Sequence, residues 1–343
     1  MSNRQVKALL KDIKRSVDLA DSKLDLLDAV QKAIDFGQPV AFNYTRHIVI
    51  AVLCICISAL LIAGIFWRFL PATTGIYDYV NESLVASATL MLMGVGVLGY
   101  VVFQNKKIGD LSARIFKMDA LLDNHFVVAP SPGTKSLQTR FSDFDRGNYS
   151  RELRSYYHSH YDGEEHDFDF NYYHFHYVNK RTVTYTTTDS KGRTQVRTKT
   201  VYDHFDRYGI ILPFTYVRGI QIFESSAGQH YQHQYSAESL VFRKRFNVYC
   251  GDQFSAAKFL KPAVIVAIED IAGLFKQLNI EINADGQMCI AFDNADLLGA
   301  EQSYDLEHPQ AFLKELKGET QMVRLNSMLS FVHQLMRHSD SNF

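Results

Sequence analysis

The chain has 343 residues, with 36 lysines and arginines against 37 aspartates and glutamates, for a formal net charge of −1. That balance lacks the basic excess of a nucleic-acid binder, so nucleic acid is excluded as the expected partner. The length suffices for a buried core in one large or two modest domains, and four cysteines without metal-site or disulfide spacing suit a reducing compartment.

Residues 1–45 read as an amphipathic segment. Val6, Leu9, Leu10, Ile13 and Val17, then Leu24, Leu27, Val30 and Ile34, recur at three- and four-residue steps, which predicts one helix over 4–35 ended by Gly37 and Pro39. Residues 46–104 hold a predicted transmembrane hairpin. Its spans, 48–67 (IVIAVLCICISALLIAGIFW) and 84–103 (LVASATLMLMGVGVLGYVVF), each contain twenty uncharged residues. At about 1.5 Å per residue each covers a hydrocarbon core of about 30 Å. Some 45 residues precede the first span, which excludes a signal peptide. Lysines and arginines crowd the outer flanks, whereas the connection 68–83 has Arg68 beside Asp78 and Glu82. The bias places both termini in the cytoplasm, with Trp67, Phe69, Tyr77 and Tyr79 as interfacial aromatics. Inside the spans, Cys54, Ser58, Thr89, Gly94, Gly96 and Gly99, and the step Ala59 to Ala63, predict close helix packing. The absence of ionisable residues there argues against an ion path within one chain.

Residues 105–134 continue as a helical stalk through Ile108, Leu111, Ile115, Met118 and Leu122, and the polar stretch 127–150 reads as a link. Residues 135–343 form the expected cytoplasmic domain. Alternation at Phe168, Phe170 and Tyr172 predicts a strand. RTVTYTTT (181–188) and RTQVRTKTVY (193–202) predict a hairpin about Asp189, Ser190, Lys191 and Gly192. Further strands are expected over 211–217, 219–225 and 240–249, helices over 254–260 and 262–278, and a hairpin over 279–294. A final helix runs through Met322, Leu325, Leu329, Val332 and Met336. The sum is an α+β protein: a transmembrane hairpin with flanking amphipathic helices, then an antiparallel sheet with helices.

Three stretches carry candidate chemistry. HSHYDGEEHDFDFNYYHFHY (158–177) sets His158 two residues from His160 and His174 two from His176. That spacing puts each pair on one side of a strand, where zinc or iron can take two imidazoles with Asp162, Asp169 or His204 as a third ligand. The same alternation also describes a plain polar sheet. In TVYDHFDRYG (200–209), Asp203, His204 and Asp206 offer an acid–base cluster without a nucleophile elbow, or a turn pinned by hydrogen bonds. Lys180, Arg181, Lys191, Arg193, Arg197 and Lys199 make the threonine-rich hairpin basic, suited to anionic lipid, to an acidic partner or to plain solvation.

ESLVFRKRFNVYCGDQFSAAKFLKPAVIVAIEDI (238–271), with Phe246, Val248, Tyr249, Asp252, Gln253, Ala256, Ala257, Leu260 and Pro262, resembles the core signature of the bacterial family catalogued as domain of unknown function 3137. The resemblance extends over roughly 45–300. It implies two membrane spans before a cytoplasmic α+β domain in the inner membrane, and it implies no activity or catalytic residues. The leading expectation is an anchored interaction or scaffold module, with lipid and a protein partner or a second copy as partners. A metal-dependent enzyme or sensor and an oligomeric channel or transporter accessory are the alternatives.

Overall fold

A computed structural model of the chain describes residues 2–69, 77–188, 192–225 and 228–340, with side chains omitted over 65–69 and 77–82. Residues 70–76 of the expected outer loop, the side chains of its flanking aromatics Trp67, Phe69, Tyr77 and Tyr79, and residues 189–191 of the hairpin turn lie outside the described residues. Four helices open the chain: α1 (Asn3–Asp18), α2 (Lys23–Asp35), α3 (Thr45–Phe69) and α4 (Tyr77–Asp123). Then come β1 (Val127–Val128), α5 (Thr134–Arg140), a 3-10 turn (Ser142–Asp145), β2 (Ser150–Tyr161), β3 (Phe168–Thr188), β4 (Thr194–Pro213), β5 (Ile220–Phe223) and β6 (His233–Tyr235). The chain ends with α6 (Leu240–Arg245), β7 (Asn247–Cys250), α7 (Gln253–Phe259), α8 (Pro262–Ala272), β8 (Asn279–Ile282), β9 (Gln287–Phe292), α9 (Pro309–Leu316) and α10 (Val323–Ser339). The fold is α+β, and two compact units divide it: Met1–Asp119 with Glu301–Glu319, and Ala120–Ala300 with Thr320–Phe343.

The first unit is helical. The single helix expected over 4–35 is two helices. Ser22 caps α2, accepting from Asp25 N while the Asp25 carboxylate returns to Ser22 N, and this capping box stops the helix that precedes it. Val6, Leu10, Ile13 and Val17 of α1 and Leu26, Ala29, Val30 and Ala33 of α2 are buried, whereas Leu24, predicted for that stripe, is 72% exposed. α9 packs against α2 and buries Phe312, Leu313 and Leu316; nothing in the sequence pattern predicted it. Within the same unit, Leu306 N donates to Ser112 Oγ on α4.

Both α3 and α4 are long and apolar enough to cross a membrane. They meet where a buried pair of hydroxyls interlocks: Ser58 Oγ and Ser87 Oγ lie 2.9 Å apart, each also within reach of the other's carbonyl. Gly94 is the close-approach point, since a Cβ there would stand 2.7 Å from Ile55 Cγ1 and 2.9 Å from the Ala51 carbonyl oxygen. Of the small residues expected to serve packing, Ser58 and Gly94 do so. Ala59 and Ala63 are exposed, Thr89 donates to Val85 O of its own helix, and Gly96 and Gly99 meet nothing within 4 Å. Gly94→Val is therefore expected to cost about 1–3 kcal/mol by overpacking. Gly96→Val and Gly99→Val should leave the detergent melting temperature unchanged; equal shifts for all three would contradict this contact.

In the second unit, nine strands among the described residues form one antiparallel sheet in the order β1-β2-β3-β4-β9-β8-β5-β7-β6. Even-numbered residues of β3 pair with even-numbered residues of β4, so each face carries one parity. The even face, with Phe168, Phe170, Tyr172, Ile210 and Leu212, shares a core with α8 and α10. The odd face, with Tyr173, Phe175 and Tyr177, is covered by Leu137, Phe141 and Phe144 of α5 and the 3-10 turn. The stretch 127–150 is thus a packed lid over the sheet rather than a bare link.

Four expectations are corrected. The first half of 240–249 is α6, because Ser239 caps it at Phe242 N and helical spacing brings the Phe242 and Phe246 rings to 4.9 Å. The strand expected over 211–217 ends at Pro213, and 200–209 is mid-strand in β4, not a turn. The helix expected over 262–278 stops at Ala272, before Gly273.

Candidate functional site

Register decides where the five candidate histidines stand. β2 pairs His158 with Asn171 and His160 with Asp169, so these two share the odd face. His174 and His176 stand on the even face, and β4 brings His204 and Asp206 onto it opposite Val178 and His176. The five side chains form two groups on opposite faces of the same strands, and one ion cannot reach both. Among the described residues no three His, Cys, Asp or Glu side chains are grouped to hold a metal ion.

In the odd-face group, His160 Nδ1 lies 2.9 Å from Asp169 Oδ1, and His158 Nε2 lies 3.8 Å from the same oxygen. His160 and Asp169 line an open cleft of about 370 Å³ with Glu165, His166, Tyr216 and Met336. Asp162 falls past the end of β2, in the turn to β3.

The even-face group is tighter. Asp206 Oδ1 accepts from His174 Nε2 at 2.7 Å, from His176 Nδ1 at 2.9 Å and from Arg154 Nη1 at 3.2 Å. Arg154 reaches it because β2 bulges between Leu153 and Ser155. With His176 Nδ1–H committed to a carboxylate, its neutral ring presents the Nε2 lone pair, and His204 Nδ1 stands 3.2 Å away to donate to it. The His174 ring stacks on Tyr208 at 4.5 Å. Burial alone raises the Asp206 carboxyl, but the hydrogen bonds from His174 and His176 outweigh it and leave the pKa below its ordinary value. The chain Asp206–His176–His204 runs from a partly covered carboxylate to an exposed ring, an acid–base relay in form. Its hydrogen bonds end at imidazoles and a guanidinium. Asp203, the third member of the expected cluster, points to the odd face and pairs with Arg181.

Asp206→Ala is expected to cost about 1–2 kcal/mol, because three donors lose one acceptor at a partly exposed site. A group whose pKa is lowered on folding adds stability above its ordinary value of 3.8, and that stability is lost as the pH falls. Urea unfolding should therefore show the deficit at pH 7 and its shrinkage below pH 3.8; a deficit constant with pH would contradict the assignment.

A buried polar cluster lies on the odd face under the 3-10 turn. Arg207 and Asp143, each about 1% exposed, form a two-pronged ion pair at 2.9 and 3.0 Å. Arg207 Nη1 also donates to Asp293 Oδ1 at 2.6 Å and to the Gln277 carbonyl at 2.9 Å. Asp143 further accepts from Arg146 and Asn279. Burial pushes the Asp143 carboxyl up, but Arg207 and Arg146 together hold it down at about 2. Beside it, Glu281 accepts from the backbone amides of Ser142 and Asp143, from Ser142 Oγ and from Gln221 Nε2. Among the described residues it makes no ion pair, and burial raises its pKa. Gly209 makes room for this layer: a Cβ there would stand 2.1 Å from the Ile290 carbonyl and 2.6 Å from the Tyr173 hydroxyl. The arrangement clips the 3-10 turn to β8 and β4. Sequence reasoning missed it. The available signal was Phe141 and Phe144 flanking Ser142 and Asp143, a polar step between two apolar anchors.

Cys250 and Cys289 are buried, and burial raises both thiols, the reverse of an activated nucleophile.

Residues 183–337 match the model of a family described as "Protein of unknown function (DUF3137)". The match starts inside β3 and ends inside α10, so it includes the threonine-rich hairpin from Val183 onward, the 238–271 signature, Asp206 and Arg207, and leaves out the two apolar helices and 158–176. No curated protein and no solved structure matches the chain.

Proposed function

We propose that this chain, whose residues 183–337 form a DUF3137 domain, is an integral inner-membrane protein that carries an α+β binding module at the cytoplasmic face. The carrying observation is the surface of α3 and α4. The two helices touch along Ser58, Ser87 and Gly94, while large side chains such as Leu60, Val85 and Leu92 stay outward, more than 60% exposed. An apolar band of this length suits hydrocarbon and not water. The lysines and arginines flanking both helices support cytoplasmic termini. A relay without a nucleophile, and thiols pushed up by burial, favour binding over catalysis; lipid, a protein partner or a second copy are the partner classes.

Alkaline carbonate should leave the chain in the membrane. An impermeant maleimide should label Thr74→Cys in spheroplasts, and Lys11→Cys only after lysis. The native thiols do not confuse the readout, since Cys250 and Cys289 are buried and Cys54 and Cys56 lie in α3. Release by carbonate, or the reverse labelling pattern, would sink this reading.

A further inference from the structure

β3 and β4 outrun their neighbours. β2 leaves β3 at Val178 and β9 leaves β4 at Tyr208, yet the two strands stay paired out to Thr188 and Thr194. The ribbon is exposed to solvent on both sides, and its two faces differ. On the even face, threonine opposes threonine at 182/200, 184/198 and 188/194, with Val196 opposite Thr186 and Tyr202 opposite Lys180. On the odd face, three successive rungs each oppose one cation to one apolar or aromatic side chain: Arg181 to Val201, Lys199 to Val183, and Arg197 to Tyr185. Tyr185 is 43% exposed.

We propose that this odd face is a docking surface for a layer of anionic lipid headgroups. A solvated hairpin has no need of an exposed Tyr185 beside the half-buried Val183 and Val201. Between the three cations they form a short amphiphilic strip, in which the basic groups meet phosphate and the tyrosine and valines meet the interfacial region. A second copy meeting this face would bring arginine and lysine against arginine and lysine. The inference rests on the anchor reading: Lys199 and Arg197, with Arg181 already paired to Asp203 on the same face, bind anionic lipid weakly, and a chain already held in the membrane supplies the effective concentration that makes weak contacts count.

The test uses the full chain in nanodiscs. The single tryptophan is removed as Trp67→Phe and a reporter is introduced as Tyr185→Trp. Discs contain phosphatidylcholine alone or with brominated phosphatidylglycerol. The expected result is a blue shift with bromine quenching in the anionic discs alone, weakened as salt rises from about 0.1 to 1 M and the screening length falls from about 10 to 3 Å. Arg197→Glu with Lys199→Glu should abolish it, and the ribbon's exposure keeps these changes out of the core. Equal emission in neutral and anionic discs overturns the lipid surface and leaves an acidic protein as the occupant. A response that instead follows protein-to-disc ratio overturns it in favour of self-association. A chain that leaves the discs altogether overturns the anchor and this surface together, whereas a retained chain with an unresponsive indole overturns this surface alone.

Discussion

Asp143→Ala is expected to destabilise the sheet unit by about 3–5 kcal/mol at neutral pH, because it strands the Arg207 guanidinium in an interior where it is 1% exposed. Asp293 remains as a partner at 2.6 Å, but its side chain is 33% exposed and takes one of the three guanidinium nitrogens. The readout is the alkylation rate of Cys289, buried in the core beneath the same turn, followed by mass spectrometry during urea unfolding. The double variant Asp143→Leu with Arg207→Met should recover part of the loss, since it removes both charges instead of one. A single variant that unfolds like wild type would show that the pair holds nothing. Two carboxyls of this network carry opposite pH signatures. Asp143, held at about 2 against an ordinary 3.8, gives stability that is complete above pH 3.8 and falls away toward pH 2. Glu281, raised above its ordinary 4.5, is best accommodated when protonated, so its contribution declines as the pH climbs through the raised value. The gap between wild type and Asp143→Ala should therefore narrow from pH 4 to pH 2.

Deletion of residues 2–36 is expected to open the segment 301–319 to trypsin at Lys314 and Lys317. α9 is laid on α2, with Phe312 and Leu316 fully buried and Leu313 nearly so. Exposing three such side chains removes about 1.5–3 kcal/mol each, more than an eight-residue helix can lose and remain folded. Phe312→Ala in the full chain should reproduce the cleavage at a cost of about 3–5 kcal/mol. A digestion pattern unchanged in both variants would refute the dependence. The practical consequence is that a fragment beginning after the apolar helices would carry this face uncovered.

Some of this protein is written locally. The two apolar helices follow from length and the absence of charge. The β8–β9 hairpin follows from alternation on either side of Gly286, and α10 from a three- and four-residue period. The break between α1 and α2 was also legible, as Ser22 and Asp25 spell a capping box, but a continuous apolar stripe masked it. Other features depend on residues far apart in the chain. α9 is too short for its period to stand out, and it is held by a helix nearly 300 residues away in sequence. The strand through 200–209 was hidden because His204, Asp206 and Arg207 find polar partners on β2, β3 and the 3-10 turn, which excuses them from apolar alternation. The histidine pairs were visible, but which pairs meet was not: the side-chain period of a strand is two, so a one-residue change in the β2–β3 register would have put all four on one face. Register, and the meeting of Asp143 with Arg207 from 64 residues away, are set by the packing of whole elements, and only the tertiary structure decides them.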